Sequence, residues 1–82
     1  MGGSTLANRV RSMRDQRDHM TQQALADAVG VSRQTIIAIE QGRYSPSLEV
    51  ALKIAQAFGE PVEQVFWFTE GVDSQTMIGN LQ

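Results

Sequence analysis

The sequence predicts an all-α domain, a compact bundle of five helices. Through residues 1–66, apolar side chains recur at intervals of three and four, the period of one helix face. Serine or threonine precedes several of these segments and glycine follows them, as in helices with capped ends. No segment of this region alternates apolar and polar residues over a strand length, so we expect no sheet there.

The composition agrees with one small folded domain. The chain has 82 residues, 41% of them hydrophobic, and room for only one core. A core of this size usually needs disulfides, a metal, very regular helix packing or a partner chain. With no cysteine and a single histidine, His19, disulfides and metal sites of thiolates or two histidines are excluded. We therefore expect regular helix packing or a homodimer, and no cofactor.

The first helix is predicted over residues 5–18. Leu6, Val10 and Met13 follow one another at spacings of four and three, which places them on one helix face. Three basic side chains are then free to point elsewhere: Arg9, Arg11 and Arg17.

The second helix is predicted over residues 22–29. The hydroxyl of Thr21 is placed to cap its first turn, and Met20 and Leu25 have the spacing of a hydrophobic staple. Gly30 is expected to end this helix, because glycine tolerates the left-handed backbone that follows a helix.

The third helix is predicted over residues 33–41 and repeats this pattern. Ser32 is the expected cap, and Ile36 and Ile39 form the expected buried stripe. Gly42 follows as the residue that ends the helix.

A fourth helix is predicted to continue to about residue 58, where Gly59 ends it. Either Ser47 caps it, or Ser45 does so with Pro46 in the first turn. Its expected apolar face is broad: Leu48, Ala51, Leu52, Ala55 and Phe58.

A short fifth helix opens at Pro61 and is expected to bury Val62, Val65 and Phe66. Trp67 and Phe68 exceed what so small a core can hide, so we expect them in a dimer interface, with packing by the tail as the alternative. The domain is thus expected over residues 5–68. Residues 69–82 form a polar tail that is mobile or associated with the dimer.

The charge distribution is uneven. The net charge of −2 argues mildly against a nucleic-acid partner. However, residues 1–53 contain all seven basic side chains and have a net charge of +2, whereas residues 54–82 have a net charge of −4. This asymmetry suggests a basic face towards the front of the chain and an acidic rear.

The functional signal lies in residues 21–41, which read TQQALADAVGVSRQTIIAIEQ. They predict two short helices joined by a tight turn at Gly30, a helix-turn-helix. The chain carries four ordered motifs: TQ at 21–22, SRQT at 32–35, IEQGRYSPSLEVALKIA at 39–55 and VEQVFWF at 62–68. In these motifs it closely resembles the phage-repressor and Cro-like (xenobiotic-response-element type) helix-turn-helix regulators, which have lambda-repressor-like DNA-binding domains.

This resemblance implies a set of base contacts. In the family, the third helix enters the major groove and the second crosses the DNA backbone. Arg33 and Gln34 would reach base edges, since arginine can hold guanine and glutamine can hold adenine with two hydrogen bonds each. Ile37 would meet a thymine methyl, unless it is simply exposed or partly buried, and Ala38 offers only a methyl group.

The resemblance also implies phosphate contacts and a structural ion pair. The side chains expected on phosphates are Gln22, Ser32, Thr35, Arg43 and Tyr44. Arg14 and Glu40 match positions at which family members link the first helix to the end of the third. Such a pair would set the angle between helices rather than necessarily add stability.

We therefore expect a homodimeric transcriptional regulator, most simply a repressor, that binds a near-palindromic operator in double-stranded DNA. In the dimer, the third helices of the two chains, which would enter the major groove, would lie about 34 Å apart. No apolar run suits a membrane span or a signal peptide, so we expect a cytoplasmic protein of a bacterium, an archaeon or a phage. No small-molecule ligand is indicated.

Two other functions stay open. Antitoxins of toxin–antitoxin pairs share this fold, and a toxin would use the acidic rear or the tail. A protein-interaction module without DNA binding would suit the negative net charge. An enzyme is not expected, because His19 lies in a turn with no companion catalytic motif.

Overall fold

The computed structural model describes residues 6–69, in which five helices and two short strands follow one another. In chain order they are β1 (Leu6–Asn8), α1 (Val10–Asp15), α2 (Gln22–Val29), α3 (Arg33–Glu40), α4 (Leu48–Phe58), α5 (Val62–Val65) and β2 (Phe66–Phe68). All five predicted helices are present within the described residues, and α2 has the predicted bounds.

The two strands form an antiparallel ribbon and correct the all-α prediction. Leu6 pairs with Phe68, Ala7 with Trp67 and Asn8 with Phe66. The expectation that no sheet involves residues 1–66 is therefore wrong. A strand of three residues is too short to show an alternating pattern, and the partner of β1 lies about sixty residues away in the chain.

The ribbon also shortens the first helix relative to the predicted residues 5–18. The backbone N–H of Arg9 donates to the carbonyl of Val65 at 3.1 Å, so the chain is extended up to this point and α1 begins at Val10. At the other end, Asp18 and His19 have φ values of 57° and 55°. These left-handed residues prevent the helix from continuing to Asp18.

The three side-chain caps of α2, α3 and α4 are confirmed. The hydroxyl oxygens of Thr21, Ser32 and Ser47 each accept the backbone N–H three residues further on, at 2.9 to 3.2 Å. Ser47 rather than Ser45 is thus the cap of α4. These bonds satisfy N–H groups that the first helical turn leaves unpaired.

One core joins the helices to the ribbon, and its buried apolar members are Val10, Met13, Leu25, Ala26, Val29, Ile36, Ile39, Ile54, Ala55, Phe58, Val65 and Phe66. The predicted apolar face of α4 is partly wrong. Leu48 is 73% exposed and Leu52 is 48% exposed, whereas Ile54, which that face omitted, is fully buried. Because α4 packs against α2 and α5, its buried side is rotated about the helix axis relative to the predicted apolar face.

The structure describes only part of the predicted domain and tail. Apart from Thr69, the tail predicted over residues 69–82 lies outside the described residues, as does Thr5 at the start of the predicted domain. Within residues 6–69, no helix is long and apolar enough to cross a membrane.

Candidate nucleic-acid interface

Helices α2 and α3 meet through a tightly bonded turn. Gly30 has a φ of 86°, and the N–H groups of Gly30 and Val31 both donate to the carbonyl of Ala26, at 2.8 and 3.1 Å. Behind the turn, five buried side chains pack together with the rest of the core: Leu25, Ala26, Val29, Ile36 and Ile39. Since the core covers this side of α3, the opposite side of the helix faces outward.

The outward side of α3 contains the four predicted base-contacting residues. Arg33 and Gln34 are exposed in the first turn of the helix, and Ile37 and Ala38, one turn later, are half-buried. The half-buried Ile37 still has part of its side chain exposed, so its contact with a thymine methyl stays a prediction. The arrangement puts two long, exposed polar side chains at the start of α3 and two shorter, half-buried apolar groups one turn later.

Ser32 and Thr35 form a linked pair at the start of α3. Their hydroxyl oxygens are 3.0 Å apart, and Ser32 Oγ also accepts the N–H of Thr35 at 3.1 Å. Only one of the two hydroxyl protons is used within the pair, so the other can be donated outward. The pair can thus offer one hydrogen bond to an anion in front of the helix.

Arg14 and Glu40 join α1 to the end of α3 through a two-pronged ion pair. Arg14 Nε lies 2.6 Å from Glu40 Oε2, and Nη2 lies 3.1 Å from Oε1. The side chains are only 11% and 7% exposed. Arg14 Nη1 also donates to the carbonyl of Met20 at 2.7 Å, so one guanidinium fixes α1, α3 and the segment entering α2.

Gln22 is held by the same carboxylate. Its side-chain Nε2 donates to Glu40 Oε1 at 3.1 Å, which ties the first residue of α2 to the last residue of α3. Gln22 and Ile37 line one groove together with Gln41. Sequence reasoning missed the bond between Gln22 and Glu40, because no local pattern marks a contact between residues eighteen positions apart.

Arg43 and Tyr44 follow α3 in an exposed loop. Arg43 Nε donates to the side-chain oxygen of Gln41 at 2.8 Å, and no bond of the two terminal nitrogens of its guanidinium is found within residues 6–69. Tyr44 is 50% exposed and lines a groove with Leu6 and Pro46. Both side chains are exposed, Arg43 with one hydrogen bond to a neighbouring side chain and Tyr44 beside a groove.

Trp67 and Phe68 are both in β2, and their side chains point to opposite faces of the ribbon, since successive strand residues alternate. Trp67 is half-buried, and the guanidinium carbon of Arg9 lies 4.9 Å from its ring centre. Phe68 is 59% exposed and faces the same side as its partner Leu6. The two rings therefore lie on opposite faces of the ribbon, and a single flat surface of one chain cannot include both.

Comparisons with known proteins show what this chain is similar to. Residues 10–65 match the helix-turn-helix family, which includes the Cro/C1-type proteins. An HTH-type transcriptional regulator of Methanocaldococcus jannaschii is 54% identical over 52 residues, which are 63% of this chain and 79% of that protein. The HTH-type transcriptional regulator YgzD of Bacillus subtilis is 48% identical over 65 residues, 79% of this chain and 97% of that protein.

A named repressor is among the more distant relatives. The cryptic phage CTXphi transcriptional repressor RstR of Vibrio cholerae is 34% identical over 59 residues. The match covers 72% of this chain and 52% of the repressor. The resemblance predicted from the sequence motifs is therefore confirmed.

Proposed function

The chain belongs to the helix-turn-helix family of DNA-binding transcription regulators, and from this we propose that it binds a specific near-palindromic operator as a homodimer and acts as a repressor. One observation carries the proposal. The buried side of α2 and α3 is packed into the core, while the exposed Arg33 and Gln34 begin the outward side of α3. This is the geometry needed to insert a helix into the major groove.

Base recognition would depend on few side chains. Arg33 can donate two hydrogen bonds to guanine O6 and N7, and Gln34 can pair with adenine N6 and N7. Ile37 and Ala38 lie one turn deeper and would contact thymine methyl groups. Apolar contacts of this kind favour thymine without a hydrogen bond.

Phosphate contacts would orient the recognition helix. Gln22 at the start of α2 would donate its second amide hydrogen to a phosphate, and the linked pair Ser32 and Thr35 would donate one hydroxyl proton. Arg43 and Tyr44 would hold the backbone on the other side of the groove. The Arg14–Glu40 pair supports this arrangement because it connects α1 to the residue that holds Gln22.

A homodimer would place two copies of α3 in successive major grooves, about 34 Å apart. The exposed ring of Phe68 supports an interface on its own face of the ribbon, and Trp67 would contact the partner chain from the opposite face. The bound dimer would exclude polymerase from the operator. The similarity to the repressor RstR supports repression. Such a regulator acts where the genome is, in the cytosol of a bacterium or an archaeon.

In vitro selection from random duplex DNA, at a stated salt concentration, tests this function. We expect enrichment of a near-palindromic motif whose half-sites are about one helical turn apart. The Arg33→Ala/Gln34→Ala double variant is the control and should enrich no motif. Failure of the unmodified protein to bind any duplex, even at low salt, would favour the antitoxin or interaction-module functions instead.

A further inference from the structure

The seven basic side chains of this protein differ in whether they already form an ion pair, a hydrogen bond or a ring contact within the chain. Within residues 6–69, Arg14, Arg17 and Lys53 form salt bridges with Glu40, Glu60 and Glu49. Arg9 lies over Trp67, and Arg43 is bonded to Gln41. In this part of the chain, two cations have no hydrogen bond, ion pair or ring contact: Arg11 and Arg33.

The proposed function places Arg33 on a base, which leaves Arg11 without a role. It is exposed in the first turn of α1 and lines the groove that also contains Gln22, Ile37 and Gln41. Three elements, α1, α2 and α3, therefore meet beside Arg11 on the side of the molecule where DNA is proposed to lie.

No neighbouring acid forms an ion pair with Arg11 within residues 6–69. Both carboxylate oxygens of Glu40 are taken by Arg14, and one of them also accepts from Gln22. Asp15 borders a second groove with Arg11, but no salt bridge joins the two side chains in the described structure. Among the residues that line the groove beside Gln22, Arg14 offsets the charge of Glu40, and Arg11 supplies a second positive charge without an ion partner.

We propose that Arg11 binds a phosphate of the DNA backbone next to the phosphate held by Gln22. A guanidinium matches the spacing of phosphate oxygens and loses little hydration when it binds them. An exposed cation with no internal partner has no competing bond to break. The contact would clamp the backbone from α1 as well as from α2. This inference rests on the proposed DNA-binding function.

The test compares Arg11→Gln with Lys53→Gln, which removes an equal charge from an exposed residue of α4. Affinity for the selected operator and for a random duplex is measured across a salt series. Each phosphate contact contributes about 0.9 to the slope of log affinity against log salt. Arg11→Gln should reduce the slope by about that amount and weaken both duplexes roughly tenfold at 0.1 M salt. Lys53→Gln should leave the slope unchanged.

A second substitution of Arg11 separates the effect of its positive charge from that of the shape of the guanidinium. Arg11→Lys should keep the slope, because it retains the positive charge, and all three variants should melt at nearly the temperature of the unmodified protein. Equal slopes for Arg11→Gln and Lys53→Gln, with normal operator binding, would overturn the role of Arg11 and leave the proposed function intact. No binding by the unmodified protein would overturn both.

Discussion

The side-chain amide of Gln22 donates a hydrogen bond of 3.1 Å to Glu40, so the first residue of one helix is held by the last residue of the next. Glu40 is itself fixed by Arg14 through two further bonds. The amide therefore has one orientation before any ligand arrives. Preorganisation of this kind reduces the entropy lost on binding.

The side-chain amide of Gln22 should contribute to DNA affinity but not to base specificity. We expect Gln22→Ala to weaken operator and random DNA alike by about 1 kcal/mol, because a phosphate contact is the same for every base pair. Gln23→Ala is the matched control, since Gln23 bonds only to Asp27 on the exposed side of α2. Fluorescence anisotropy with both duplexes measures the effect, and a loss confined to the operator would contradict it.

Arg33 and Arg43 should have different effects on specificity. Arg33→Ala should cost about 1–3 kcal/mol and relax the base preference at one operator position, because it removes a bidentate contact to a base. Arg43→Ala should weaken all sequences alike. Competition binding against operators substituted at single positions distinguishes the two effects. Equal losses for both variants on every duplex would show that this division of roles is wrong.

Breaking the Arg14–Glu40 pair should be costly for folding. Arg14→Ala would leave a carboxylate that is only 7% exposed without its ion partner, at a cost of about 3 kcal/mol. Lys53→Ala breaks the exposed pair with Glu49 and should cost less than about 0.5 kcal/mol. Urea unfolding gives both values. An Arg14→Ala protein that keeps its stability and its DNA affinity would refute the structural role of the pair.

The left-handed turn after α1 should be open to stabilisation. His19 is exposed with a φ of 55°, a conformation that costs a residue with a Cβ about 1 kcal/mol or more. His19→Gly should therefore raise the free energy of unfolding by up to about 1 kcal/mol, after the greater entropy of glycine in the unfolded chain is included. Gln16→Gly is the control.

Gln16 has a φ of −77°, which any residue adopts without strain, so glycine there should lower the stability by about 0.5–1 kcal/mol. Thermal and urea unfolding of the two variants should shift in opposite directions. Destabilisation by both would mean that the turn at His19 is not strained.

Phe68 should control dimer formation. Phe68→Ser should raise the dissociation constant of the dimer about thirtyfold, because removing a central aromatic anchor costs about 2 kcal/mol. Leu48→Ser, at an apolar residue that is even more exposed on α4, should have little effect. Sedimentation equilibrium measures both. Dissociation caused by Leu48→Ser alone would move the interface from the ribbon to α4.

Local sequence was sufficient for most helix boundaries. Thr21, Ser32 and Ser47 each cap a helix through a bond that spans only three residues, so the residue and its neighbours contain all the necessary information. Burial was less predictable, as Leu48 and Leu52 illustrate. Both suit an apolar stripe, but which side of α4 is covered depends on where α2 and α5 lie.

By itself, the sequence determined the helix-turn-helix, its family and the residues at the tip of α3, because capping and turn formation act over a few positions. Only the tertiary structure decided that residues 6–8 form a strand with residues 66–68, that Glu40 holds Gln22, and that Arg11 lies beside them without a partner. These relationships join distant parts of the chain. They are set by the packing of a shared core, which no local pattern records.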